Sequence, residues 1–298
     1  MVRRSSSVAW GFPPFTYAVK WLVIINSGIY LLMLLIHGLK PSLEYGILKA
    51  FALVPSLVIF HGWVWQIVTY SFFHGGLFHL LFNMLTLWMF GSQFEMDWGR
   101  RHFLEYYFWC VIGAALTSIA VGYAALGVQR LHPAPLFENV SNLIHTATIG
   151  ASGGIFGILI AFGILYGERE ILLWFFLPIK AKYLVAVFIF IALVGALGDQ
   201  GGVANFAHLG GALFGWLYLK YVPRRGLQFA TSERYFGIRN WWIKQKRRRA
   251  AKKFQVYMRD QNQPTNFSDY FDEYGNYRDP NAPPKEKNNG EGKGPWVN

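Results

Sequence analysis

The sequence predicts an all-α polytopic membrane protein with six transmembrane helices and with both termini in the cytoplasm. Three observations predict this class: the composition, the number of apolar segments long enough to span a bilayer, and the distribution of positive charge. Of the 298 residues, 53% are hydrophobic and only 15% are charged. This balance is too apolar for a soluble domain of this length.

Six apolar segments have the length of a membrane span. A transmembrane helix needs roughly 20 mostly apolar residues to cross about 30 Å of hydrocarbon. Lipid-facing backbone outside a helix would leave peptide groups without hydrogen-bond partners. The apolar stretch Tyr45–Phe73 is interrupted by Pro55 and Gly62, so we assign it to an interfacial or re-entrant loop. The predicted spans are Trp21–Leu39, Leu77–Gln93, Phe103–Leu126, Thr148–Tyr166, Tyr183–Gly198 and Ala204–Val222.

Positive charge in the short connections predicts the orientation, because lysine and arginine collect on the cytoplasmic side. With the N-terminus inside, the outer loops keep only Lys40, Lys49 and Arg130. The predicted regions are an N-terminal cytoplasmic segment at 1–20, a six-helix membrane domain at 21–222 and a basic, largely disordered cytoplasmic tail at 223–298.

The basic tail is expected to meet the membrane surface. Trp241 and Trp242 stand beside the basic run Lys244–Lys253, a combination that suits docking on anionic cytoplasmic lipid. Nucleic-acid binding is the less favoured interpretation, since an adjacent membrane already explains the basic run. We therefore expect the lipid bilayer, and no nucleic acid, as the partner of the tail.

Polar side chains in three even-numbered spans indicate a functional site. His79 and Asn83 lie in the second span, Ser152 in the fourth and His208 in the sixth. These spans all run from outside to inside, and Ser152 and His208 each follow the start of their span by about four residues, roughly 6 Å along a helix. His79 and Asn83 share one helical face at a similar depth. Intramembrane polar groups are costly unless they pair or function.

Small residues predict that the fourth and sixth spans pack closely enough for a hydrogen bond between Ser152 and His208. A neutral imidazole at that distance could accept the serine proton and activate the hydroxyl as a nucleophile. No carboxylate is placed to complete a triad, because Asp199 is at the outer end of the fifth span, and Glu95 and Asp97 are on the inner side. The glycines concerned are Gly153, Gly154 and Gly157 in the fourth span, and Gly210, Gly211 and Gly215 in the sixth.

In three motifs the chain resembles the rhomboid intramembrane serine proteases, over about Trp21 to Val222. The resemblance implies that Ser152 is the nucleophile and His208 the general base, with His79, Asn83 and the Ser152 backbone N–H as oxyanion donors. It also implies the six-helix rhomboid bundle. The motifs are Gly150-Ala-Ser152-Gly153 for the family's Gly-x-Ser-Gly, His79 to Asn83 for His-x-x-x-Asn, and Ala207-His208-Leu-Gly-Gly211 for Ala-His-x-x-Gly.

The same resemblance implies an endopeptidase that cuts the transmembrane segments of other membrane proteins near their outer end, through an acyl-enzyme and without metal or cofactor. We expect a multi-pass protein of a bacterial inner membrane. Two positions depart from the family pattern. Gln66 follows Trp65 where many members carry arginine, and Phe156 stands where a tyrosine often stacks on the catalytic histidine.

Two other functions remain open at this point. A catalytically silent rhomboid-like protein would bind transmembrane clients without cutting them, although such relatives characteristically lose the serine or the histidine. A transporter or proton channel would use His79, Asn83 and His208 as a polar path. The glycine-rich connection Gly198–Val203 is either a movable lid or a tight turn between antiparallel helices.

Overall fold

The computed structural model describes residues 13–131, 143–173, 177–197, 202–222 and 239–249, together with residues 252 and 256. These residues are mostly helical. In chain order the elements are α1 (Tyr17–Leu39), α2 (Pro41–Phe51), α3 (Pro55–His61), α4 (Gln66–Thr69), a 3-10 turn (Tyr70–Phe72), α5 (Leu77–Thr86), a π-helical turn (Leu87–Gly91), α6 (Ser92–Trp98), α7 (Arg100–Leu131), α8 (Ser152–Leu165), β1 (Glu170–Leu173), β2 (Leu177–Lys180), α9 (Ala181–Leu197), α10 (Gly202–Tyr221) and a tail helix (239–249).

Within the described ranges, two helices are long and apolar enough to cross a membrane by themselves, α1 and α7. A third candidate is the pair Gln66–Phe72 and Leu77–Trp98, which is bent by 100° at its break. Helices α8 and α9 are apolar but shorter, and the 14 residues of α8 rise only about 21 Å. The helices agree with the predicted class of membrane protein, while the count of six spans stays a prediction.

The predicted start of the fourth span at Thr148 is wrong. Helix α8 begins at Ser152, because the residues before it are extended: Thr148 pairs with Leu53 in an isolated antiparallel bridge, and Gly150 has a positive φ of 130°. Ser152 is thus the first residue of its helix. Of the predicted glycine-rich connection Gly198–Val203, residues 198–201 lie outside the described residues.

The stretch predicted as an interfacial or re-entrant loop contains the short helices α2, α3 and α4. Helix α2 has no buried residue, and Trp63 and Trp65 stack with their ring centroids 5.6 Å apart. Short helices that expose aromatic and aliphatic side chains suit a position at the bilayer interface. We refer to residues 40–73 as the first outer loop, a name that follows the predicted orientation.

A β-hairpin joins α8 to α9, so the all-α prediction was incomplete here. Strands β1 and β2 are antiparallel, with Glu170 opposite Lys180. The Glu168 carboxylate accepts hydrogen bonds from the ammonium groups of Lys180, at 2.8 Å, and Lys182. These two hydrogen bonds lower the pKa of Glu168 to about 2. The two pairs join Glu168, just before β1, to the end of β2 and to the first turn of α9.

The core lies where α7 packs against α8 and α10. Phe103, Tyr106 and Tyr107 on α7 are fully buried there, and the Tyr106 hydroxyl donates a hydrogen bond of 2.5 Å to the carbonyl of Gly157 in α8. Buried tyrosines need a partner for the hydroxyl. Tyr106 meets this need by bonding to the backbone of the neighbouring helix, which fixes the height of α8 against α7.

The start of α1 is capped by a residue distant in sequence. The buried carboxylate of Glu95, in α6, accepts hydrogen bonds from the backbone N–H groups of Ala18, at 2.8 Å, and Val19, at 3.0 Å. It also accepts one from the Thr16 hydroxyl at 2.5 Å. The first N–H groups of a helix have no partner within the helix, and a carboxylate there also meets the positive end of the helix dipole. Glu95 therefore joins α1 to α6.

The residues from Gln228 onward form a unit of their own, of which the structure describes 239–249 as a helix. Trp241 is 59% exposed and Trp242 is 64% exposed. The predicted disorder of the tail concerns residues that lie mostly outside the described ranges.

Replacing Glu95 tests its role as the cap of α1. We expect Glu95→Gln to lower the free energy of unfolding by about 1–3 kcal/mol, because the amide NH2 cannot accept the hydrogen bonds that one carboxylate oxygen accepts now. Denaturant unfolding of the detergent-purified protein measures the change. The control is Glu170→Gln, at an exposed acidic residue. Equal effects of the two changes would contradict the capping role.

Candidate active site

Ser152 opens α8, and the backbone before it is held in an unusual conformation. Gly150 has a φ of 130°, a value that side-chain-bearing residues rarely adopt. A Cβ atom at this position would lie 2.9 Å from both Cε1 and Nε2 of His79. The N–H of Gly150 donates to the carbonyl of Tyr70 at 3.0 Å. Only glycine fits between the His79 ring and the serine, which explains the first glycine of the Gly-x-Ser-Gly motif.

The predicted hydrogen bond between Ser152 and His208 is present in the structure. Nε2 of His208 lies 2.8 Å from Oγ of Ser152, across 56 positions of sequence. The ring of Phe156, one helical turn after Ser152, stacks on the His208 ring with centroids 4.5 Å apart and planes inclined by 1°. The imidazole is therefore held on its face by Phe156 and at its edge by Ser152.

The pair comes together because α8 and α10 touch through their backbones. A Cβ atom on Gly211 would overlap the carbonyl oxygen of Gly153. On the other side of α8, a Cβ atom on Gly153 would lie 2.5 Å from Cβ of Ala114 and 2.9 Å from the hydroxyl of Tyr70. Glycine at positions 153 and 211 thus allows the approach that small residues permit between membrane helices.

His79 and Asn83 are placed differently by the structure. The ring of His79 lies against Gly150, as its distance from a Cβ built there shows. Asn83 is buried and lies one turn further along α5, where its amide donates to the carbonyl of His79 at 2.8 Å. The structure therefore brings His79 next to residues 148–151, which we call the serine loop, whereas the amide of Asn83 donates a hydrogen bond to its own helix.

The acidic residues considered for a triad are located elsewhere. Glu95 binds the start of α1, as described above, and Asp97 accepts hydrogen bonds from Gln93 and Tyr166. Asp199 lies outside the described residues. Among the residues that the structure does describe, no group of three His, Cys, Asp or Glu side chains could hold a metal ion.

Sequence reasoning missed two residues beside the site. Tyr70 is buried, accepts the N–H of Gly150 and donates its hydroxyl to the carbonyl of Val111 at 2.8 Å. His74 is buried and lies edge-on to the His79 ring, with centroids 5.0 Å apart. A histidine five positions before His79 was a visible signal, whereas Tyr70 acts through its backbone carbonyl and gives none.

Comparison with known proteins identifies the family. The family model described as the Rhomboid domain matches residues 61–225, more than half of the chain. The chain belongs to the rhomboid family. It is therefore an integral membrane protein, either a rhomboid intramembrane protease or a rhomboid-like protein.

Similar rhomboid proteins come from plants, fungi and bacteria. Rhomboid-like protein 19 of Arabidopsis thaliana is 25% identical over 72% of this chain and 64% of its own length. Rhomboid protein 1, mitochondrial, of Saccharomyces cerevisiae is 28% identical over 71% of this chain and 57% of its own length. Rhomboid protease AarA of Providencia stuartii is 29% identical over 66% of this chain and 69% of its own length. The chain thus spans less than two thirds of the first two relatives.

Adding one methyl group at Gly211 tests the helix contact at the site. We expect Gly211→Ala to lower the free energy of unfolding by about 1–3 kcal/mol, because the methyl group would overlap the Gly153 carbonyl, and to slow the reaction of Ser152 with a fluorophosphonate probe. The control is Gly28→Ala, where nothing lies within 4 Å of the added Cβ. A Gly211→Ala protein as stable and as reactive as the control would contradict the close approach.

Proposed function

We propose that this rhomboid protein is an intramembrane serine endopeptidase that cleaves transmembrane segments of other membrane proteins near their outer end. The observation that carries the proposal is the 2.8 Å contact between Ser152 Oγ and His208 Nε2. Two different helices supply these groups, and Phe156 holds the imidazole in place. The relative named Rhomboid protease AarA supports a proteolytic function.

In the proposed reaction, Ser152 Oγ attacks the carbonyl carbon of a peptide bond while Nε2 of His208 takes the hydroxyl proton. The tetrahedral intermediate collapses to an acyl-enzyme, and the protonated His208 gives its proton to the leaving amine. A water molecule then attacks the ester while His208 accepts its proton; as the bond to Ser152 Oγ breaks, His208 returns that proton to Oγ, and the acid product leaves. The dyad is regenerated without an acidic third member.

The oxyanion of the intermediate would be stabilised at the start of α8. The N–H of Ser152 belongs to the first turn, whose N–H groups lack partners within the helix, and the helix dipole is positive there. His79 is beside Gly150 and can supply a side-chain donor. Asn83 donates one N–H of its amide to the carbonyl of His79, and the second N–H of the same amide can serve as a further donor. One such donor lowers the barrier by about 3–4 kcal/mol in other serine proteases.

We further propose the six-helix arrangement, with both termini cytoplasmic and Ser152 near the outer face. The regions are then 1–20, the membrane domain 21–222 and the tail 223–298. The excess of lysine and arginine in the inner connections supports this orientation. A bacterial inner membrane remains our proposed location; AarA of Providencia stuartii supports it, while other relatives are plant and mitochondrial proteins.

Removing either member of the dyad tests the protease proposal. We expect Ser152→Ala and His208→Ala each to lower kcat for a transmembrane substrate by at least about 10⁴-fold, because the nucleophile and its base act as a unit. Cleavage in proteoliposomes and labelling with a fluorophosphonate measure the effect. The control is Ser118→Ala, which removes a buried hydroxyl that donates to the carbonyl of Ala114 in the same helix, α7.

The same variants distinguish the rival functions. A client-binding rhomboid-like protein would retain substrate capture in Ser152→Ala and show no cleavage in the wild type. A transporter using His79, Asn83 and His208 would retain ion flux in Ser152→Ala. Cleavage by wild type and Ser152→Ala at equal rates would overturn the proposed dyad.

We also propose that the tail helix lies on anionic lipid. Trp241 and Trp242 are exposed near its start. Five of the six residues from Lys244 to Arg249 are lysine or arginine, and all five are exposed. Aromatic rings favour the headgroup region, and each basic residue adds about 1 kcal/mol of attraction to an anionic surface.

Nanodiscs of two compositions test the tail. We expect hydrogen exchange at 239–249 of the full chain to be slower in nanodiscs containing phosphatidylglycerol than in those of phosphatidylcholine alone, because the helix is then covered by the headgroups. A double replacement, Trp241→Ser with Trp242→Ser, should remove the difference. Equal exchange in the two lipids would argue against the lipid contact.

A further inference from the structure

Gln66, the first residue of α4, is completely buried and bonds in two directions. Its Oε1 accepts the backbone N–H of Val54 at 3.0 Å. Its Nε2 donates to the carbonyl of Lys49 at 2.9 Å and, more weakly, to that of Ala50 at 3.4 Å. The amide therefore uses both its acceptor and its donors inside the first outer loop.

The donor of this amide, Nε2, binds carbonyl groups in the last turn of α2. The last carbonyls of a helix have no partner within the helix. Trp65 Nε1 donates to the carbonyl of Ala50 at 2.8 Å, and the Thr69 hydroxyl donates to that of Phe51 at 2.7 Å. Because Trp65, just before α4, and Thr69, within it, also bind carbonyls at the end of α2, this end does not depend on Gln66 alone.

The acceptor of the Gln66 amide, Oε1, binds the chain next to the residue that pairs with Thr148. Val54 directly follows Leu53, which exchanges two backbone hydrogen bonds with Thr148, of 3.0 and 2.9 Å. Leu53 is fully buried. By binding the N–H of Val54, Gln66 fixes the segment on which Thr148 is hydrogen-bonded.

A second hydrogen bond connects the helix of Gln66 to the serine loop. Tyr70, one helical turn after Gln66, accepts the N–H of Gly150 through its backbone carbonyl at 3.0 Å. The extended segment that precedes Ser152 is thus held at Thr148 by the residue next to Val54, and at Gly150 by Tyr70. Gln66 lies between these two points of attachment.

We propose that Gln66 is a positioning residue for the nucleophile: its amide sets the first outer loop against residues 148–150 and so fixes the backbone and hydroxyl of Ser152. The inference rests on the proposed protease function. It also explains why the departure from the family's Trp-Arg pair is compatible with an ordered site. An arginine offers donors only and a carboxylate only acceptors, whereas the amide matches the N–H of Val54 and the carbonyl of Lys49 together.

The test compares two variants of α4. Gln66→Met keeps the length and removes every hydrogen bond of the amide. Thr69→Val, the matched control, removes the hydroxyl that bonds Phe51 and leaves Val54 untouched. For Gln66→Met we expect kcat on a transmembrane substrate to fall about 10- to 100-fold with KM within about threefold, because displacement of a reacting group affects the chemical step. Thr69→Val should keep a kcat close to that of the wild type.

Hydrogen exchange gives a readout that does not depend on activity. In Gln66→Met, the amides of Leu53, Val54, Thr148 and Gly150 should exchange at least about tenfold faster than in the wild type, while Thr69→Val should leave them unchanged. Comparison of Tm for the two variants separates this local effect from general destabilisation.

The outcomes separate the two proposals. Wild-type exchange at 148–150 in Gln66→Met overturns the positioning role, whether or not the protein cleaves. An equal loss of kcat in both variants, or a change confined to KM, also overturns it. A wild type that neither cleaves nor reacts with the fluorophosphonate overturns the protease function instead, and the exchange result then decides alone whether Gln66 orders the serine loop.

Discussion

The contact between the backbones of α8 and α10 is the constraint on which the site depends. Gly211 meets the carbonyl of Gly153 with no room for a side chain. Ser152 directly precedes Gly153, and His208 lies one turn before Gly211, so the helix contact itself determines the separation of Oγ and Nε2. A dyad built on two touching backbones needs no long flexible side chain to reach its partner, and such rigid support is what a reactive geometry requires. Each glycine costs about 1 kcal/mol of helix stability relative to alanine.

Helix α7 makes this contact possible from the other side. Tyr107 lies so close to Gly154, and Cys110 to Gly157, that neither glycine could carry a methyl group without displacing them. The hydroxyl of Tyr106 bonds the carbonyl of Gly157. Gly153, Gly154 and Gly157 therefore lie between two helices: α10, which carries His208, and α7, which supports α8. This explains why α8 carries more small residues than one interface would need.

The sequence was sufficient to predict the contact between Ser152 and His208, but not the backbone conformation of the residues before Ser152. Shared direction and the glycine pattern correctly predicted that Ser152 meets His208, and the stack of Phe156 preserves an aromatic ring on the histidine. The helix was expected to begin at Thr148, because nothing in an apolar stretch shows that a residue will pair with Leu53, far away in sequence. The β-hairpin was missed for a related reason: its strands are short and apolar, and short apolar runs do not distinguish strand from helix.

The extended segment before Ser152 also clarifies what the first outer loop contributes. Backbone outside a helix is tolerated at membrane depth only where its N–H and carbonyl groups find partners within the protein. Both backbone groups of Thr148 bond to Leu53, and the N–H of Gly150 bonds to the carbonyl of Tyr70; Leu53 and Tyr70 are both in the first outer loop. Without these partners, the N–H and carbonyl groups of this segment would be hydrogen-bonded most readily if α8 continued backward through Gly150. That change would abolish the positive φ of Gly150 and move its N–H away from Tyr70. Leu53 and Tyr70 in the first outer loop thus support the position of Ser152, because their hydrogen bonds prevent α8 from beginning one turn too early.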